Sequence, residues 1–217
     1  EVQGLPGAVY EIRAAEDIIT PDGTTRYKKG EVVDTVTTGA NGLAKSKEIY
    51  LGKYEVQEIT APYGMVLNDE IHSVELVYAG QNVAVTETAT SFYNERQRVE
   101  IDITKSLETD EAYGIGNNGE IFDVTFGLYA EKDITAADGT VIPADGLIEI
   151  VSFDENGYGK VATDLPIASY YVKELSTNSA YIISDQKYPV IFEYAGQDTA
   201  TVHISVNDGC LLYTSPS

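Results

Sequence analysis

The chain has 217 residues, and its 35 acidic against 14 basic side chains give a formal net charge of −21, which repels phosphate backbones and anionic lipid and so excludes nucleic-acid and membrane binding. A hydrophobic content of 43% with 19 Gly, 16 Tyr and no Trp is a folded, strand-rich composition, and the length suits two domains with a core each. The single Cys excludes an internal disulfide, no stretch approaches the roughly 20 apolar residues of a spanning helix, and the opening EVQGLPG lacks a basic-then-apolar signal pattern, so the chain reads as a mature piece or an excised fragment.

Residues 8–14 (AVYEIRA) alternate apolar and polar side chains as a half-buried strand does, and Pro21-Asp22-Gly23 marks a hairpin after them. A strand over 31–37 is closed by the turn Asn41-Gly42, where both residues tolerate positive φ. A strand ending in Glu58 follows, then strands over 69–78 and 83–93. The same order returns with strands over 124–130, 147–153, 170–174, 187–194 and 199–206, and with turns at Ala137-Asp138-Gly139 and Asn156-Gly157. Tyr78-Ala79-Gly80-Gln81 recurs as Tyr194-Ala195-Gly196-Gln197, an offset of 116 residues, and Asp17-Ile18-Ile19-Thr20 answers to Asp133-Ile134-Thr135-Ala136 at the same offset. The expected organisation is therefore all-β, with two tandem immunoglobulin-like antiparallel sandwiches over 1–97 and 98–209. The final stretch 210–217, CLLYTSPS, breaks the alternation and reads as a non-native tail.

The stretch 98–108 (RVEIDITKSLE) puts a lysine where an apolar residue is expected. Val99, Ile101, Ile103 and Leu107 share one parity, and Lys105 falls on their face. An isolated ammonium costs several kcal/mol or more to bury, so this amine must lose its proton, find a partner or react. Carboxylates are misplaced in the same way: Glu58 shares the parity of Tyr54 and Val56, and Glu174 that of Tyr170 and Val172, in register between the copies. His72 and His203 lie in strands without metal-ligand spacing, and Asp22-Gly23 and Asp154-Glu155-Asn156-Gly157 read as turns rather than calcium loops. No phosphate loop or catalytic triad is legible, so no metal, no cofactor and no enzyme are expected.

These features resemble the collagen-adhesin B-type (CnaB), or SpaA-like, repeats of Gram-positive pilins and surface adhesins. The resemblance rests on the Lys105 strand, the Gly7-Ala8-Val9-Tyr10-Glu11-Ile12 opening, the Asn41-Gly42 turn and the segment GKYEVQEITAPYG over 52–64, which looks like the family's G-x-Y-x-x-x-E-x-x-A-P-x-G. It is looser in the second copy, where Ser176 to Ala180 replace the Ala-Pro segment. The resemblance implies a prealbumin-type sandwich closed by an isopeptide bond from a first-strand lysine to a last-strand Asn or Asp, with a glutamate shuttling protons. It assigns the lysine to Lys105, the glutamates to Glu58 and Glu174, and the first copy's acceptor to Asn94 in Phe92-Tyr93-Asn94-Glu95. In the second copy both Asn207 and Asp208 stand open as acceptors; Asn207 is out of phase with Val202, Ile204 and Val206, whereas Asp208 shares their face.

The first copy lacks its lysine strand, because the counterpart of Lys105 falls before residue 1. It is expected to accept a lysine-bearing peptide in trans. By analogy with disulfides, closing a loop of about 100 residues restricts the unfolded chain by about 4 to 5 kcal/mol. The implied role is a structural stalk in an extracellular, cell-wall-attached surface protein of a Gram-positive bacterium. Its partners are neighbouring repeats of the same protein, with a host matrix protein or glycan reached through other domains. The alternatives are a ligand-binding sandwich for a glycan or matrix protein, or an accessory domain of a secreted enzyme.

Overall fold

The computed structural model describes residues 3–136 and 138–210, so Ala137 of the second hairpin and residues 211–217 of the expected tail lie outside the described residues. The first half carries β1 (Val9–Ala14), β2 (Ile18–Ile19), β3 (Thr25–Tyr27), β4 (Val32–Thr37), β5 (Gly52–Thr60) and β6 (Ile71–Leu76). The second carries β7 (Arg98–Leu107), a 3-10 turn (Glu120–Asp123), β8 (Thr125–Ala130), β9 (Ile134–Thr135), β10 (Val141–Ile142), β11 (Leu147–Ser152), β12 (Tyr158–Lys160), β13 (Ala168–Ser176), β14 (Tyr188–Phe192) and β15 (Thr201–Cys210). Two compact units result: unit 1 holds the residues up to Gln97 together with Gly196–Ala200, and unit 2 holds Arg98–Ala195 and the residues from Thr201 on.

Unit 2 is a sandwich of a four-stranded sheet, in the order β11-β8-β13-β14, and a three-stranded sheet, β12-β7-β15. Alternation supplies its core, because every second residue of a strand faces the other sheet. Phe126, Leu128, Val172 and Val190 of the first sheet meet Ile101, Ile103 and Val206 of the second. Each such side chain contributes about 1.5 to 3 kcal/mol on burial. Within the three-stranded sheet, β7 and β15 run parallel, in register from Arg98 opposite Thr201 to Leu107 opposite Cys210. A tight turn joins only antiparallel neighbours, and these two strands are the first and last of the unit, connected through everything between them.

The Asn156-Gly157 turn brings β12 against β7. Gly157 has φ 74°, and a Cβ there would stand 2.0 Å from the Lys105 carbonyl oxygen, so the lysine strand packs on a position that only glycine fits.

Unit 1 repeats the four-stranded sheet as β4-β1-β5-β6, with Ala14, Ile18, Val33 and Tyr54 buried together. The sequence expectation of a final strand over 83–93 is corrected here, because those residues form no strand. Nor do residues 42–44, the counterpart of β12. Alternation alone does not make a strand; the backbone N–H and C=O groups need a ladder partner, and among the described residues no strand pairs with either segment.

Candidate functional site

In unit 2 the pleat that buries Ile101 and Ile103 carries Lys105 into the core, where the residue is 2% exposed. Its Nζ lies 2.6 Å from Asp208 Oδ2 and 3.3 Å from Glu174 Oε1. The three groups come from different strands: Lys105 from β7, Asp208 directly opposite it on β15, and Glu174 from β13 in the facing sheet. Asp208 shares the inward face of Val206, whereas Asn207 points outward and is exposed. The Phe126 ring stands 5.5 Å from Nζ and closes the site on its apolar side.

Glu174 is fixed by a local irregularity. The pairing of β13 with β8 shifts between Glu174 and Ser176, a bulge that lets the chain turn away just after the carboxylate. Oε2 accepts a hydrogen bond from the Ser184 amide at 2.7 Å, while Oε1 faces the amine as an ion contact outside hydrogen-bond geometry. One amine thus sits among two carboxyl groups, with all three side chains almost fully buried. Each buried ion costs several kcal/mol, repaid only by close pairing. An amide between Nζ and Asp208 Cγ would remove two of these charges at once.

Asp208 has a second partner that sequence reasoning missed. Tyr188 of β14 donates its hydroxyl hydrogen to Oδ1. Among 16 tyrosines it reads as one more core aromatic, and neither parity nor spacing signals its role.

Unit 1 assembles part of the same arrangement. Glu58 is 1% exposed, and its Oε2 accepts from the Asn68 amide at 2.8 Å, at the position equivalent to Ser184. The bulge also recurs, with β1 pairing to β5 shifting where Tyr10 meets Glu58 and Val9 meets Thr60. The Tyr10 hydroxyl lies 3.4 Å from Glu58 Oε1, and its pKa is pushed up to about 12 by burial first and by the Glu58 charge second. Asn94 donates through Nδ2 to Glu58 Oε2 at 2.7 Å and to the Val66 carbonyl at 3.0 Å. Both partners only accept, which settles the orientation of the amide. Glu58 and Asn94 are therefore together, while Lys28, Lys29 and Lys45 of this copy are exposed.

The histidines are occupied elsewhere. His72 stacks on Phe92 with centroids 3.9 Å apart, and His203 Nδ1 lies 3.3 Å from Glu100. Asp154 accepts from the backbone amides of Asn156 and Tyr158 within its own turn, both at 2.9 Å. Among the described residues no helix is long and apolar enough to cross a membrane.

The Trypsin-resistant surface T6 protein of Streptococcus pyogenes serotype M6 is 27% identical over 138 residues, covering 63% of this chain and 25% of that protein, so the chain spans about a quarter of the relative's length. The TIE protein of Bacillus anthracis superposes with a TM-score of 0.60 at 24% identity, over 97% of this chain and 31% of that one, a likeness of fold. The C-terminal fragment of the pilus adhesin SpaC from Lactobacillus rhamnosus GG aligns over 97% of this chain and 91% of its own at 12% identity, with a TM-score of 0.49. The SpaA family of prealbumin-like fold domains matches twice, over residues 1–91 and 100–208, once for each copy of the repeat. With both copies matched, the chain belongs to the SpaA prealbumin-like fold domain family.

Proposed function

We propose that the chain is a pair of structural repeats from a Gram-positive surface protein of the pilin or adhesin kind, and that unit 2 welds its first strand to its last through an amide between Lys105 and Asp208. The observation that carries this reading is the buried cluster itself: an amine 2.6 Å from one carboxylate and 3.3 Å from another, all three almost fully enclosed. A proton passes from Lys105 Nζ to Asp208, leaving a neutral amine beside a neutral acid. The amine attacks Cγ, the Glu174 carboxylate takes the proton released from nitrogen, and it returns that proton to the departing oxygen. Water leaves and Glu174 is restored. The event happens once per chain, a self-modification of unit 2 rather than turnover of an outside substrate. Unit 1 holds the matching pair, Glu58 and Asn94, ready for a lysine-bearing strand.

The location is the outside of the cell and the partners are neighbouring repeats, supported by family membership and by the surface protein that the chain resembles. Intact-mass spectrometry of the purified chain tests the weld. The expected mass is lower than the sequence mass by one water, with Lys105 and Asp208 joined in the peptide map; an unshifted mass overturns the reading.

A further inference from the structure

We propose that Tyr188 is a second catalytic residue of this closure, beside Glu174, donating its hydroxyl hydrogen to the oxyanion that develops on Asp208 Oδ1. The inference rests on the Lys105–Asp208 weld and adds to it a role for a residue outside the lysine, acid and glutamate set.

The two oxygens of Asp208 have different surroundings. Oδ2 faces the amine at 2.6 Å, and Oδ1 takes the Tyr188 hydroxyl. When Nζ bonds to Cγ, the C=O double bond opens and one oxygen must hold negative charge inside an apolar core, where a preformed donor is worth far more than in water. Oδ1 is that oxygen, because its donor is already aimed. Oδ2, already carrying the proton from the amine, gains a second one through Glu174 and departs as water. Collapse of the Oδ1 charge then restores the carbonyl of the new amide. Nitrogen has lost two protons and the acid has lost one oxygen as water, so the step balances with no further reagent. Tyr188 keeps its proton throughout.

The hydroxyl is well placed to act without moving. Tyr188 is paired with Val172 across β13 and β14, two residues from Glu174, and its ring packs against Phe126 with centroids 6.4 Å apart. In unit 1 the residue 116 places earlier is His72, whose ring stacks on Phe92 at 3.9 Å, while the acceptor there, Asn94, bonds Glu58 and the Val66 carbonyl; the phenol–acceptor pair is therefore a feature of the copy that also holds the lysine.

Timed cell-free synthesis of the full chain, followed by intact-mass spectrometry, reads the rate at which water is lost. Tyr188→Phe keeps the ring against Phe126 and removes the donor, and closure is expected to slow about 10²- to 10³-fold, as when one oxyanion donor is removed elsewhere, with the strand circular dichroism unchanged. Tyr188→His, the residue type found at position 72, restores a donor and is expected to recover part of the rate. Tyr188→Leu, a second variant without a donor, decides the matter if the Phe chain loses its strand spectrum. Wild-type closure rates in the folded donor-free chains overturn the role of Tyr188 and leave the weld standing. A wild-type chain that never loses water overturns both.

Discussion

Each unit has a four-stranded sheet, a bulge and a glutamate anchored ten residues downstream, yet among the described residues the three-stranded sheet that completes the sandwich occurs in unit 2 alone. In unit 2, β7 is the central strand of β12-β7-β15 and gives both flanking strands their backbone partners, whereas the segments of unit 1 equivalent to β12 and β15 are irregular and pair with no strand among the described residues. The cores differ accordingly: among the described residues sixteen buried side chains cluster in unit 2 and four in unit 1, so unit 2 is expected to unfold last.

The strongest way to break this contrast is Lys105→Ala. It strands Asp208 and Glu174 as buried carboxylates, which costs about 3 to 5 kcal/mol, and it would also prevent the proposed cross-link, about 4 to 5 kcal/mol more. Calorimetry should show the upper transition fall sharply while the lower one holds; an unmoved upper transition would remove the cluster from the account of stability. The contrast can also be sharpened from the other side. A synthetic peptide of residues 98–107 added to the full chain is expected to give a gel-stable adduct at Asn94 with loss of ammonia, and Asn94→Ala should abolish it.

Glu174→Gln keeps an oxygen for the Ser184 amide but cannot carry the proton. Closure is expected to stop with the fold intact, and the unshifted mass is the readout. Gly157→Ala forces a side chain into a φ of 74° and against the Lys105 carbonyl, with an expected loss in unit 2 of about 1 to 3 kcal/mol in urea unfolding. The smallest effect is on pH. Tyr10 and Tyr54 of unit 1 have pKa values raised from about 10 to about 12, in both cases chiefly by burial. Their folded forms hold the proton more tightly than the unfolded chain, so this contribution is fully present below pH 10 and is lost as pH rises toward 12. The lower transition should decline across that window, as thermal scans at stepped pH would record.

Much of the site was legible because strand periodicity is strict. A period of two by itself places Lys105 with Ile101 and Ile103, and Asp208 with Val206. The repeat and the Asn-Gly turns were equally plain, since turn chemistry is local. What escaped was non-local. Residues 83–93 alternate well enough for a strand, but pairing depends on a partner that sequence patterning does not register. The parallel sense of β7 and β15 is invisible for the same reason. Tyr188 was hidden because a phenol on a core strand is chemically ambiguous: only the neighbour opposite its hydroxyl distinguishes a donor from a filler.

The parallel, in-register course of β7 and β15 has a consequence for tension. A pull entering at the amino end of β7 and leaving at the carboxyl end of β15 drags the two strands past each other lengthwise. Their ladder is then loaded in shear, every rung sharing the strain, instead of being unzipped rung by rung. Lys105 and Asp208 sit near the carboxyl ends of both strands, so a join there would route the pull along β7, across one bond and out, leaving the intervening polypeptide slack.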